Sequence, residues 1–381
     1  MKSGKTLASL GAVLAFASTA TAIAAVQTKA PKAPATAITV ETFASGLENP
    51  WGLQFLPDGR LLVTERPGRL RVIGKDGKPG TPVTGVPKVL AQGQGGLLDV
   101  RLAADFAESG ILFLSFAEPR EGGRSATAVA RAKLVLEGAS GRLEGVTVIF
   151  RQEPAVRSNL HFGSRIVIAA DGTLFITTGD RYSQRDEAQN PASGIGKVIR
   201  IQPDGSPAAD NPKLPGWSPL VWSIGHRNVQ GATLDPATGK LWTVEHGARG
   251  GDELNQPEKG KNYGWPVITY GRDYSGAKIG EGTAKPGLEQ PVYYWDPSIA
   301  TSGLALYDGN LFPGWKGNFL VGGLAGSSLA RLVMENGKVV AEEVLLADRG
   351  DRIRDVRQGP DAAVWLLVDD TKGKVLRISP K

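Results

Sequence analysis

Cysteine is absent from the chain, so no disulfide can brace it. Stability has to come from packing, from closure of the fold or from a bound metal. Histidine is scarce, with 3 residues in 381, which makes each imidazole a landmark for proton-transfer chemistry. Beyond residue 25 no stretch reaches the ~18 consecutive apolar residues that mark a membrane span, so no stable membrane insertion is expected after removal of the first segment. Long helical stripes are missing as well. Basic residues do not gather into a helix or an aromatic strand platform, so the net charge of +6 gives no nucleic-acid interface. That excess suits an exported protein, or one that holds an anionic small molecule.

What is present begins with an export pattern. Lys2 and Lys5 precede an apolar run from Leu7 to Ala25 that ends in small residues at Ala20, Ala22, Ala24 and Ala25. Residues 1–25 are read as a signal peptide cut after Ala22 or Ala25, with an uncleaved tether as the alternative. The destination is the periplasm or the extracellular space. Residues 26–38, rich in Pro and Ala, are read as an extended leader without a core, and residues 39–381 as the folded catalytic domain.

Glycine (50) and proline (25) are spread among short β-like runs, as in an all-β fold with many turns. An apolar run, a turn and a second apolar run recur around Asp58, Ser109, Asp171, Thr238, Trp315 and Asp361. Six hairpins, each followed by further strand-like sequence such as GKVIRIQ, favour a six-bladed β-propeller of four-stranded antiparallel blades over a β-sandwich or a large barrel. Loops of successive blades would then converge at one end of a central channel. The insertions from Arg181 to Lys197 and from Glu245 to Trp295 are expected at that end.

His161 stands before the first strand of the third hairpin, on a loop where an imidazole can act as a base. AQGQGGLLDVRL carries Gln92 and Gln94 among glycines that permit close backbone approach. VWSIGHRNVQG offers His226, Arg227 and Asn228 after a strand. Glu245, Asp252, Glu253 and Asp273 suit a hard cation such as Ca²⁺, although their spacing is not that of an EF-hand. Arg352 and Arg354, two apart on a strand, share a face that can grip carboxylates.

NPWGLQFLPDGRLLVTER, GQGGLLDV, GKVIRI, GHRNVQG, GARGGDE and NYGWP occur in the order found in the soluble aldose sugar dehydrogenases that use pyrroloquinoline quinone (PQQ). The chain resembles that family, soluble quinoprotein glucose dehydrogenases included, over nearly all of its mature length. The resemblance implies an oxidoreductase that converts aldoses to lactones by hydride transfer to PQQ, with His161 as general base and Arg227 near the quinone oxygens. It implies cofactor contacts from Gln94, Asn228, Tyr274, Leu324, Ala325, Gly326, Arg352 and Arg354. It also implies one Ca²⁺ on the Gly247 and Ala248 carbonyls and a structural one at Glu253 with the Tyr263 carbonyl. The electron acceptor is not named by these residues, and a monomer is expected. Leu160 replaces the Asp that precedes the histidine in the glucose dehydrogenase branch, which leaves the base without an adjacent carboxylate. Ala325 replaces a lysine and His246 a glutamine, which favours the broader aldose branch. The rival readings are a calcium-dependent lactonase, which needs a carboxylate cage at the channel centre, and a non-catalytic interaction propeller.

Overall fold

Each of the six hairpins forms the inner half of a four-stranded antiparallel sheet, and the six sheets form a β-propeller. The structure is a computed structural model describing Met1 and residues 28–381, so the export segment and its cleavage site lie outside the described residues. No described helix is long and apolar enough to cross a membrane. The innermost strands are Pro50–Phe55, Leu97–Leu102, Ile166–Ile168, Val229–Leu234, Thr301–Leu306 and Ile353–Gln358, in blades 1 to 6. Late residues of all six, among them Leu102, Ile168, Leu234 and Gln358, line one pocket. These strands therefore run the same way along the axis, and the ring has an upper end where they start and a lower end where they finish.

Second strands such as Leu61–Glu65 are buried at every position, because a propeller blade has a neighbour on both faces. The period-2 alternation of a strand then sorts residues between two neighbours. Leu62 joins the apolar cluster between blades 1 and 2, and Val63 the cluster between blades 6 and 1. Phe175 and Ile176 divide in the same way between blades 4 and 2, and Leu366 and Leu367 between blades 5 and 1. Turn chemistry fixes the register of the hairpins. In blade 3 the Asp171 carboxylate accepts from the Thr173 N–H at 3.0 Å, with Gly172 at φ 81°.

The ring closes through its ends: Ile38–Leu47 pairs antiparallel with Gly373–Pro380 and completes blade 6. The leader is not free of packing. The Ala33 N–H reaches the Glu342 carbonyl at 2.8 Å, Thr36 Oγ1 donates to Glu343, and Ala33 is buried, so the segment straps blade 5. Its Pro- and Ala-rich composition gave no periodicity from which this contact could be read.

The axis is filled by charge. Arg165 Nη1 lies 3.1 Å from both Asp99 and Asp355, Arg357 Nη2 lies 3.1 Å from Asp355, and Arg101 Nε lies 3.7 Å from Asp99. Arg165 also stacks on Trp51 at 4.3 Å. This plug separates the two ends of the channel.

Candidate active site

At the upper end, His161 sits at the turn into blade 3 with a left-handed backbone, φ 48°, a conformation that costs energy in a non-glycine residue. The chain around it supports the strain. The His161 N–H donates to Gln94 Oε1 at 2.8 Å, and the buried Arg181 guanidinium covers the Phe162 ring at 3.9 Å while donating to the Leu160, Ser125 and Ser158 carbonyls. Gly179 permits this fit, since a Cβ there would lie 2.2 Å from the His161 carbonyl oxygen.

The expectation that Leu160 leaves the imidazole without a carboxylate is corrected by Asp180. Its Oδ1 lies 2.6 Å from His161 Nδ1, and both side chains are buried. Asp180 also accepts from the Tyr182 N–H at 2.8 Å and from Trp265 Nε1 at 2.9 Å. A carboxylate at that distance keeps the proton on Nδ1, and Nε2, which has no hydrogen-bond partner among the described residues, carries the free lone pair. Burial lowers the imidazole pKa from 6.5; Asp180 opposes the shift, and Arg227 adds to it. Asp180 was in view in the TTGDR that ends the third hairpin, but sequence spacing does not show that the chain turns back on His161 there.

A cleft of three communicating lobes opens beside this pair. One lobe, about 410 Å³, is walled by Asp180, Tyr182, Arg227, Trp265 and Tyr274, and a second, about 290 Å³, by Gln94, Arg66, Leu324, Ala325, Arg352 and Arg354. A third, about 530 Å³, shares Ala248 and Tyr274 with the first and His246, Ala300 and Ala325 with the second. Gly326 belongs to the same turn as Leu324 and Ala325, with its N–H on the Ile299 carbonyl, and does not line the cleft. The imidazole and the arginine pair share this end of the ring. Gln230 joins them, donating to the Gly163 carbonyl at 3.2 Å and accepting from Arg354 Nη1 at 2.9 Å.

Charge in the second lobe is unbalanced. Arg66, Arg352 and Arg354 surround the single carboxylate of Asp369 at 3.7, 3.9 and 2.7 Å. Burial alone would raise the Asp369 pKa; Arg354 and Arg66 more than offset that and hold it down to about 2. Nε of Arg66, Nε of Arg227, Nε of Arg354 and Nδ2 of Asn228 are buried without a hydrogen-bond partner. The unmet donors of Arg66 and Arg354, in the lobe with surplus positive charge, fit a polyanionic ligand such as PQQ, which carries several carboxylates. Arg66 and Gln230 were missed by sequence reading because neither lies in a charge run.

The cation candidates separate. Gly247 and Ala248 lie at the cleft, and the Gly247 carbonyl accepts from Arg227 Nη1, which a cation there would have to displace. Glu253, Glu245 and Tyr263 line a smaller cavity of about 10 Å³, the size of one ion or water, which shares Arg227 and Trp265 with the first lobe. Burial, reinforced by Glu245, pushes Glu253 up to about 8, so a cation between these carboxylates would relieve their repulsion. Asp252 is committed to the Gly247 N–H and Ser298, and Asp273 to an exposed turn at Ser275. The four carboxylates named from the sequence are therefore not one cage. The long insertion also holds the strand Asp252–Asn255; residues 256–292 leave the lower side of blade 4 and climb back to deliver Trp265 and Tyr274 to the cleft.

A family model for glucose/sorbosone dehydrogenases matches residues 47–377. The aldose sugar dehydrogenase YliI of Escherichia coli is 43% identical over 357 residues, 92% of this chain and 94% of that protein. A crystal structure of a glucose dehydrogenase superposes with a TM-score of 0.87 at 50% identity, covering 90% of this chain and 100% of the other. The PQQ-bound aldose sugar dehydrogenase of Streptomyces coelicolor superposes with a TM-score of 0.77 at 30% identity, covering 92% of this chain and 100% of that one. A match that spans the whole ring, together with an imidazole and an arginine cluster gathered at one end of it, places the chain in the glucose/sorbosone dehydrogenase family.

Proposed function

We propose that the chain is a quinoprotein oxidoreductase that takes an aldose at C1 to its lactone, with PQQ as hydride acceptor and His161 as general base. The observation that carries this reading is the His161–Asp180 pair at the end of the ring where, in the second lobe of the cleft, Arg66, Arg352 and Arg354 face the single carboxylate of Asp369. PQQ, when bound, supplies an electrophilic carbonyl that receives the hydride. The protein does the rest. Asp180 fixes the tautomer, so Nε2 takes the C1 hydroxyl proton as the hydride leaves C1. Arg227, stacked over Trp265 at 5.1 Å, provides fixed positive charge where negative charge develops. Arg352 and Arg354 would hold the cofactor carboxylates, and Gln94, Asn228, Tyr274, Leu324 and Ala325 its flanks.

Ca²⁺ belongs to the same proposal at two places: on the Gly247 and Ala248 carbonyls, where it would polarise the hydride acceptor, and at Glu253 with the Tyr263 carbonyl, where it would be structural. Export to the periplasm or beyond rests on the sequence of residues 1–25. A lactonase is less well supported, because the axial carboxylates Asp99 and Asp355 are occupied by arginines rather than grouped as ligands. Purified protein mixed with PQQ and Ca²⁺ should bleach an artificial acceptor with aldoses and gain thermal stability. No turnover with any sugar and no stabilisation by PQQ would defeat the proposal.

A further inference from the structure

The lower end of the channel holds a second pocket, about 410 Å³, to which all six innermost strands contribute. Its walls mix apolar side chains with Gln54, Thr233 and Gln358 as neutral polar groups and Arg101 and Arg357 as the charged ones. The axial plug lies between this pocket and the cleft beside His161. Within that plug Arg101, Arg165 and Arg357 face only Asp99 and Asp355, so positive charge is in excess.

The excess opens downward. Arg101 uses Nε on the Ile166 carbonyl at 2.8 Å and Nη1 on Gln54 Oε1 at 3.3 Å, and Arg357 uses Nε on the Leu53 carbonyl at 3.1 Å and Nη2 on the two aspartates. Nη2 of Arg101 and Nη1 of Arg357 have no hydrogen-bond partner among the described residues. Both guanidiniums contact Asp99, which holds them on either side of one carboxylate. Their backbone and aspartate contacts fix them, so little conformational entropy is lost when a ligand arrives. Two anchored guanidiniums that line one pocket and carry uncommitted N–H groups are the donors an oxyanion takes.

We propose that the lower pocket is a binding site for a small oxyanion, a phosphate or a carboxylate, held between Arg101 and Arg357. Thr233 and the two glutamines supply further hydrogen bonds. The site is separate from the cofactor cleft, and bound anion neutralises the plug and stabilises the ring.

Inorganic phosphate, titrated into the full chain at constant ionic strength set with chloride, is the probe. Calorimetry and the thermal midpoint should both saturate. Thr233→Glu puts a carboxylate in the pocket without touching the plug. It should abolish the saturable response, keep sugar turnover unchanged, and leave the phosphate-free midpoint equal to or above that of the wild type. Arg101→Gln should weaken binding about tenfold or more, the loss of one charge-assisted contact. Acetate in place of phosphate distinguishes the two ligand sources. A response to neither anion beyond that to chloride overturns the proposal. So does saturable binding that survives Thr233→Glu and disappears in Arg352→Ala, because the anion would then sit in the upper cleft.

Discussion

The proposed mechanism gives the proton chemistry to one imidazole, His161, and its neighbours would set when it can act. Because burial lowers its pKa from 6.5, His161 as the proposed base stays neutral to a lower pH than an ordinary imidazole, and activity is expected to fall as it becomes protonated. The acidic limb of kcat/KM is thus expected below the ordinary imidazole range; a limb above 6.5 would contradict the burial argument. His161→Gln should keep PQQ binding and lose about 10²- to 10⁴-fold in kcat. Asp180→Asn should cost about 10²-fold or more, because an amide that donates to Nδ1 moves the proton to Nε2. Its PQQ titration should be unchanged, and equal turnover in the two proteins would remove Asp180 from the mechanism. His161 was legible in the sequence because it opened a hairpin and histidine is rare. Asp180, Arg66 and Gln230 were not, because their meaning depends on which loops meet, and no local pattern encodes that.

Among the elements, the upper loop of blade 3 is held from beneath by Lys197. Its buried ammonium donates to the Glu187, Ala188 and Ile195 carbonyls and so ties residues 185–196 to the strand Lys197–Ile201. Lys197→Met keeps the length and removes the donor, leaving those carbonyls unmet; a loss of roughly 2–4 kcal/mol is expected, read as a lower thermal midpoint. GKVIRI was recognised as strand sequence, but nothing in it marks the lysine as inward-facing. Hairpins were readable element by element because Asp-Gly turns and apolar runs are local. The climb of residues 256–292 back to the cleft was not, because it depends on long-range contacts such as Trp265 Nε1 on Asp180.

For the whole molecule, six repeats of one hairpin announced the ring, and the axial plug shows how its centre is filled. Asp99 faces Arg101, Arg165 and Arg357 while fully buried. Asp99→Ala should cost about 3–5 kcal/mol by stranding positive charge, and thermal unfolding would show it. Blade 6 carries a different consequence. Its outer strand, Ile38–Leu47, is made before the other described strands of the ring, and the strand it needs, Gly373–Pro380, after them. Synthesis must pass Gly373 before the circle can be sealed, so until then the nascent chain stays an open, unclosed string of blades. A stop codon before Gly373 should therefore yield a protein that never acquires protease resistance, however well its other five blades are encoded.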